Sequence, residues 1–443
     1  MDRREFLSNA STSAAGVAVA SLLSAHRNAK AAPANDRVTV AVAGVRGRGG
    51  GLLHTFAGLP EVDVKYVCDV DRSVLDRRAA EVASNTGRAP EKIKDFRRAL
   101  DDPSIDALVL GTPDHWHALP AIMACQAGKD VYVEKPDGHN IIEGQTMVAA
   151  ARKHGRIVQL GTQGRSGPHI LEAIEYIRGG HLGRALLAKA WESARQGSIG
   201  HPDDSEPPPG VDYDFWLGPA PKRPFNERRF HGDWRWFFDY GTGDLGNDGV
   251  HRLDIARWGL EAAVAAGGEP ALGLPRAVSA HGGKYYFDDA QEWPDTMLVT
   301  YDYPGRVLTY EMRVWTPYPM LGESEGAAVF GDEGYVVIGN GRWTAHGRNG
   351  EKVAEGAGGY NDAGHAQNFI DCMRSREKPA ADLETVGHPS SLLCHLGNVA
   401  WRVGRTVRFD PQTYRFRDDE DANRLLTRPE YRQPWLLPKI ADV

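Results

Sequence analysis

The chain has 443 residues, 41% of them hydrophobic and 25% charged, with a net charge of -7 and a pI near 6.2. This is the composition of a soluble globular protein, and the acidic balance argues against a nucleic-acid surface. The length exceeds one ordinary core and implies two domains.

At the N-terminus, Arg3-Arg4-Glu5-Phe6-Leu7 precedes an Ala- and Gly-rich run from Ala14 to Leu23, and Ala29-Lys30-Ala31 offers a small-residue cleavage site. The pattern resembles a twin-arginine export signal over residues 1–31, with a frayed basic N-terminus as the plainer alternative. Export implies a periplasmic protein. Beyond this segment no run is long and apolar enough to span a membrane. Cys68, Cys125, Cys372 and Cys394 have no C-x-x-C spacing, and Cys68 and Cys125 sit among apolar neighbours, as buried thiols do.

Residues 35–160 read as one dinucleotide-binding unit. Val38–Ala43 is a continuous apolar run, the mark of a strand buried on both faces. Gly44-Val45-Arg46-Gly47-Arg48-Gly49-Gly50-Gly51 follows, then a helical stretch from Leu52. Strand, glycine-rich turn and helix in that order let the backbone approach a pyrophosphate at the helix N-terminus. The usual G-x-G-x-x-G would place its second glycine at Arg46, so Gly44, Gly47 and Gly49 serve instead, and Arg46 and Arg48 can pair with phosphate. The next strand, Val62–Cys68, ends in Asp69, whose carboxylate can accept from the adenosine ribose hydroxyls. That favours NAD over NADP, although nearby Arg72 leaves NADP open. Further alternation follows: a helical segment near Pro90–Leu100, strand Ala107–Leu110, helix Ala118–Ala127, strand Val131–Val133, helix Ile141–His154 and strand Ile157–Leu160. Such alternation predicts a doubly wound parallel sheet.

From residue 161 to 443 the texture changes. A helix at His169–Ile177 and a strand at Ala185–Trp191 lead into the Pro-rich stretch Pro202–Pro224, read as an irregular surface loop. Thr296–Tyr303 with Arg306–Arg313, and Ala327–Phe330 with Gly334–Ile338, read as hairpins. A last amphipathic helix, Thr385–Val403, is expected to pack back on the first domain. No internal repeat is evident. The fold class is therefore α/β: a Rossmann domain followed by an α+β substrate domain with an open, mostly antiparallel sheet.

Within this frame, Gly111–Asn140 delivers Glu134-Lys135-Pro136 to the tip of a strand, where open parallel sheets bind ligands. The tripeptide and its setting resemble the signature of the Gfo/Idh/MocA oxidoreductases. The resemblance implies that Lys135 sits against substrate hydroxyl and nicotinamide, that the bond to Pro136 is commonly cis, and that Thr112, Pro113, His117 and Glu134 border the cofactor. It also matches Asn247-Asp248-Gly249-Val250-His251 to the family's D-x-x-x-H pair, making His251 the general acid/base. Here Asn247 stands where the carboxylate belongs. A buried His251 bonded to Asp254, its neighbour on the helix face, is the bland alternative.

The loop 113–117 holds His115 and His117, but no Cys or acidic set at matching spacing accompanies them, so no metal is expected. Phe230–Tyr240 alternates aromatic and polar residues, a pattern that suits a sugar-binding wall or a core segment equally. Gln163, Arg165, His231, Trp234, Tyr240 and Asn247 are the candidate substrate contacts. The expected activity is nicotinamide-dependent oxidation of a carbohydrate or cyclic polyol with tightly held NAD, in a homo-oligomer. An NAD-dependent glycosidase and a catalytically silent sugar-binding protein are the alternatives.

Overall fold

The computed structural model describes residues 37–443, so the expected export signal lies outside the described residues. Six strands form the first sheet: β1 (Val38–Ala43), β2 (Val62–Cys68), β3 (Glu91–Ile93), β4 (Ala107–Leu110), β5 (Asp130–Val133) and β6 (Val158–Leu160). Every pairing is parallel and the order is β3-β2-β1-β4-β5-β6. The order reverses between β1 and β4, which opens a crevice at their carboxyl ends. Helices α1 (Gly47–Ala57), α2 (Arg72–Thr86), α3 (Arg97–Leu100), α4 (Ala118–Gln126) and α5 (Ile141–His154) make the crossovers.

One local expectation fails here. Residues near Pro90–Leu100 form the short edge strand β3 and the single turn α3 rather than one helix. Only Ile93 of β3 is buried, so too little apolar pattern marks the strand. Helix α2 was not anticipated, although both ends carry signals: the carboxylate of Asp71 accepts from Ser73 N and Val74 N, and Gly87 closes the helix in the left-handed conformation.

The second sheet has eight strands. β7 (Ala185–Ser193) lies at its centre, beside β10 (Arg306–Arg313) and β11 (Glu325–Gly331). β9 (Thr296–Tyr303) and β8 (Ala277–Gly283) extend one side; β12 (Gly334–Ile338), β13 (Arg342–Gly347) and β14 (Lys352–Ala357) extend the other. All pairings are antiparallel except β7 with β10. Both expected hairpins are present. Inward residues alternate with exposed ones such as Leu298, as in a sheet with one face on the core. That inner face packs against α6 (Pro168–Arg178) and α9 (Gly249–Ala266), preceded by the short α8 (Gly243–Asn247).

The chain then returns to the first domain. Phe369 and Ile370 of α10 (Asp362–Ser375) share a core cluster with Val40 and Phe56, and Trp435 joins the cluster of Leu108 and Val133. The last long helix is α11 (His388–Val403). It meets the first domain as expected: His388 Nδ1 lies 2.6 Å from Asp137 Oδ2, and Ser391 Oγ accepts from Asp137 N at 3.1 Å. The Pro-rich stretch differs from expectation. It contains α7 (Tyr213–Leu217), with Trp216 and Leu217 buried, because Phe215 stacks on Trp116 at 5.5 Å and Trp116 Nε1 donates to Trp216 O.

Candidate active site

A cleft of about 220 Å³ lies at the switch point of the parallel sheet, lined by the glycine turn, the tips of β2, β4 and β5, α7 and residues 231, 232, 234, 235 and 247. Its floor is the turn after β1. Gly44 has φ 74°, and a Cβ there would stand 2.7 Å from Thr112 N. A Cβ on Gly49 would stand 1.6 Å from Gly44 O, so α1 can start against β4 only with glycine at that position. Gly47 faces open space. This bare start to α1, with Gly44, Gly47 and Arg48 lining the cleft, is a cradle that fits a pyrophosphate.

The two arginines of the turn have different fates. Arg46 is exposed and lines the cleft, and its side chain makes no hydrogen bond or ion pair among the described residues, so it is available to phosphate. Arg48 is committed to the protein: Nε donates to Glu134 Oε1 at 2.8 Å and Nη2 to Asp362 Oδ1 at 2.7 Å. Its expected phosphate contact is replaced by a clamp joining the turn, the tip of β5 and α10. Asp69 lies at the other end of the cleft. Its carboxylate accepts from Val45 N at 2.9 Å and Asp71 N at 3.0 Å, while burial pushes its pKa up. Phe96, Phe215 and Trp216 wall that end.

At the tip of β5 the Lys135–Pro136 bond is cis. Lys135 Nζ crosses to the second domain, donating to Asn247 O at 2.6 Å and Asn247 Oδ1 at 3.2 Å. His117 lines the cleft, with Nδ1 2.6 Å from Pro136 O and Nε2 2.8 Å from Thr112 O. It braces the two loops. His115 is bound in the same way by Trp216 O and Tyr240 O, and burial holds its pKa at about 3. Thr112 and Pro113 also line the cleft.

His251 is the third residue of α9. Burial first, then the charges of Lys135, Arg252 and Arg48, hold its pKa well below the usual imidazole range. Its Nδ1 has no partner among the described residues. The alternative contact with Asp254 is not made, because Asp254 accepts two bonds from Arg165, at 2.9 and 2.8 Å, and one from Ser390 at 2.7 Å. The imidazole is therefore neutral with a free ring nitrogen, the form that can accept a proton, while burial and the neighbouring cations weaken it as a base.

The other substrate candidates separate. Trp234 and Asn247 line the cleft. Arg165 does not: it is a buried ion-pair partner of Asp254 stacked 4.2 Å over Trp258. Tyr240 is fully buried between Trp216 and His115, since the aromatic run turns Phe230, Trp236, Phe237 and Tyr240 inward. Gln163 lies outside this cleft, with a buried Oε1 that has no partner among the described residues. His231 lines the cleft, but Nε2 lies 2.9 Å from Asp71 Oδ2, which places it at the Asp69 end rather than beside Lys135.

Sequence reasoning also missed a group behind Asn247. Asn247 Nδ2 donates to Asp248 Oδ2 at 3.0 Å and Asp244 Oδ1 at 3.4 Å. Burial and the Asp248 charge push Asp244 up to about 7, and burial with Asp244 pushes Glu192 up to about 10. Asp244 precedes the motif by one helical turn, a spacing that could have drawn notice. Asp114 ties the cleft to the second domain, accepting from Thr242 Oγ1 at 2.7 Å.

The description "Oxidoreductase family, NAD-binding Rossmann fold" matches residues 38–162, and "Oxidoreductase family, C-terminal alpha/beta domain" matches residues 189–264 and 357–437. The chain belongs to the Gfo/Idh/MocA oxidoreductase family. Its first domain is therefore an NAD-binding Rossmann domain and the chain an enzyme of that family. A glycosyl hydrolase family 109 protein of Shewanella sp. (strain W3-18-1) is 29% identical over 206 residues, 42% of this chain and 45% of that protein. The chain thus spans less than half the length of this curated relative. Among solved structures, aldose-aldose oxidoreductase from Caulobacter crescentus complexed with glycerol superposes with a TM-score of 0.63 at 20% identity, covering 84% of this chain and all of the other. A levoglucosan dehydrogenase in complex with NADH and levoglucosan gives 0.62 at 18%, covering 84% and 99%. At these identities the likeness is one of fold.

Proposed function

We propose that this Gfo/Idh/MocA enzyme oxidises a secondary hydroxyl of a carbohydrate or cyclic polyol, using NAD that it holds tightly. The observation that carries this reading is Lys135 at the tip of β5, its ammonium anchored on Asn247 within the same cleft as the glycine turn. NAD supplies hydride acceptance at its nicotinamide. Gly44, Arg46, Gly47 and the start of α1 hold its pyrophosphate, and Asp69 takes the ribose hydroxyls, which favours NAD over NADP. Lys135 Nζ holds the substrate oxygen, and neutral His251 takes the hydroxyl proton as hydride leaves the carbon. Trp234 offers an aromatic face to the ring and Arg235, which also lines the cleft, a charge to its hydroxyls.

A second reading is supported by the family 109 relatives: the same oxidation, followed by elimination of an aglycone and return of the hydride. The sequence Arg3-Arg4-Glu5-Phe6-Leu7 supports export by the twin-arginine route to the periplasm. One experiment tests both activities. The mature protein is incubated with free sugars, polyols and aryl glycosides, with and without added NAD, and products are followed by mass spectrometry. An oxidised sugar or polyol supports the oxidoreductase; a released aglycone with an unoxidised sugar supports the glycosidase; no product from any substrate class refutes both.

A further inference from the structure

A second cavity, of about 550 Å³, lies behind the active-site cleft. It sits between the start of α5, residues 238–242, α11 and residues 424–432. The two cavities share a wall, since Thr242 lines this one and Asp114, its hydrogen-bond partner, lines the cleft. No step of the proposed chemistry uses it.

Its lining carries an excess of positive charge. Arg428 is only 7% exposed. Its Nη1 donates to Asp239 O at 2.7 Å and its Nε to Glu143 Oε1 at 3.4 Å, while Nη2 has no partner among the described residues. His395, 4% exposed, is held neutral by burial and adds no charge; its Nε2 makes no hydrogen bond there and lies 4.0 Å from Asp137 Oδ1. Arg402 and Lys222 are exposed on the rim and make no hydrogen bond or ion pair among the described residues; the Arg402 guanidinium stacks 4.7 Å over Phe238. Arg424 and Arg432 also line the cavity but are paired, with Asp421 and Asp214. Of its two carboxylates, Asp239 is held by Arg223 at 3.0 Å, which leaves Glu430 at the exposed edge. One wall is aromatic, with Phe238 set edge-on to Trp293 at 4.6 Å.

A buried guanidinium with an unmade bond is costly, and proteins rarely leave one so. Arginine forks match the two oxygens of a carboxylate or phosphate, and a concave wall of one sign concentrates such anions. The space is far larger than the roughly 30 Å³ of one water. The geometry points to a second binding site for a small organic oxyanion, a carboxylate or phosphate ester on a ring that lies against Trp293.

Isothermal titration of the full chain with D-glucuronate, phenyl phosphate, inorganic phosphate and D-glucose tests this. One equivalent of glucuronate or phenyl phosphate is expected to bind, which of them binds assigning carboxylate or phosphate, and at least tenfold more tightly than glucose. Arg402→Gln and Lys222→Gln, both at exposed positions, are each expected to weaken that binding at least fivefold. Arg428→Gln should abolish it, with thermal melting to show that the variant is folded. The inference is overturned if no organic anion binds better than glucose, if inorganic phosphate matches phenyl phosphate in the absence of glucuronate binding, or if the Arg402 and Lys222 variants bind as the parent does.

Discussion

Lys135 Nζ donates to the main-chain oxygen of Asn247 at 2.6 Å and to its side-chain oxygen at 3.2 Å, joining the tip of β5 to the end of α8. The contact spans the two domains, so their packing fixes where the ammonium stands. Because one acceptor is a backbone carbonyl, the anchor survives the absence of a carboxylate at position 247. The charge of Lys135 is therefore not neutralised by its anchor and remains available to a substrate oxygen.

Lys135→Ala is expected to lower kcat by about 10²- to 10⁴-fold, the range for a positioned proton-transfer group. The dinucleotide should remain bound, because the glycine turn and Asp69 hold the opposite end of the cleft. Turnover and cofactor content of the purified variant are measured together. Loss of dinucleotide with activity restored by excess NAD would make the lysine a structural residue.

Strands β1 and β4 were legible because strands buried on both faces read as apolar runs, and β2 because Val62, Val64 and Tyr66 alternate with polar residues before the apolar Val67-Cys68; the edge strand β3 was not. Helix α2 was passed over although Leu75, Ala79 and Val82 recur at helical spacing, because the charged residues between them leave only a narrow apolar stripe. In the site, Lys135 was legible through its place at a strand tip. The fate of Arg48 was not, since its partners Glu134 and Asp362 are 86 and 314 residues away. Nor could an aromatic run without a period show that Tyr240 turns inward while Trp234 turns to the cleft.

Asp69→Ala is expected to weaken NAD more than NADP. The carboxylate sits at the tip of β2, where it can accept from two ribose hydroxyls but would repel a 2'-phosphate. Dissociation constants for both dinucleotides decide the matter; an equal loss would show that Asp69 serves only to hold Val45 N and Asp71 N.

His395 contributes a pH dependence to stability. Burial holds its pKa at about 4, against an ordinary value of 6.5, even with Asp137 nearby. Between those values the unfolded chain binds more protons than the folded one, so this ring's contribution is intact above pH 6.5 and is lost as pH falls towards 4. The loss reaches about 1.4 kcal/mol per pH unit. His395→Gln lacks this dependence, so denaturant melts at pH 7 and pH 4.5 should show the stability difference between parent and variant moving in the variant's favour at the lower pH. A constant difference would mean that His395 titrates alike in both states.

Asn247→Asp should move the acid limb of kcat/KM to higher pH by about one unit. A carboxylate one helical turn before His251 favours the imidazolium and raises its pKa, so the neutral base is lost at a higher pH. The new charge also meets Asp244 and Asp248, which accept from the Asn247 amide, and the thermal midpoint should fall. A pH profile unchanged in this variant would remove His251 from the proton transfer.

The last prediction concerns the fate of the cofactor. Under the proposed export, an enzyme that released NADH outside the cytoplasm would find no pool to replace it, so each cycle must restore the dinucleotide it began with. Either a second substrate takes the hydride or the first takes it back. Both require slow dissociation, which the site can supply without a covalent bond. The glycine cradle and Arg46 hold phosphate, and α7 with residues 231, 232, 234 and 235 overlies the cleft from the second domain. The mature protein, dialysed extensively and then denatured, should release nearly one equivalent of NAD(H) into the supernatant. A dialysed protein that contains no dinucleotide and turns over only with added NAD would be an ordinary dehydrogenase, and the internal cycle would have to be abandoned.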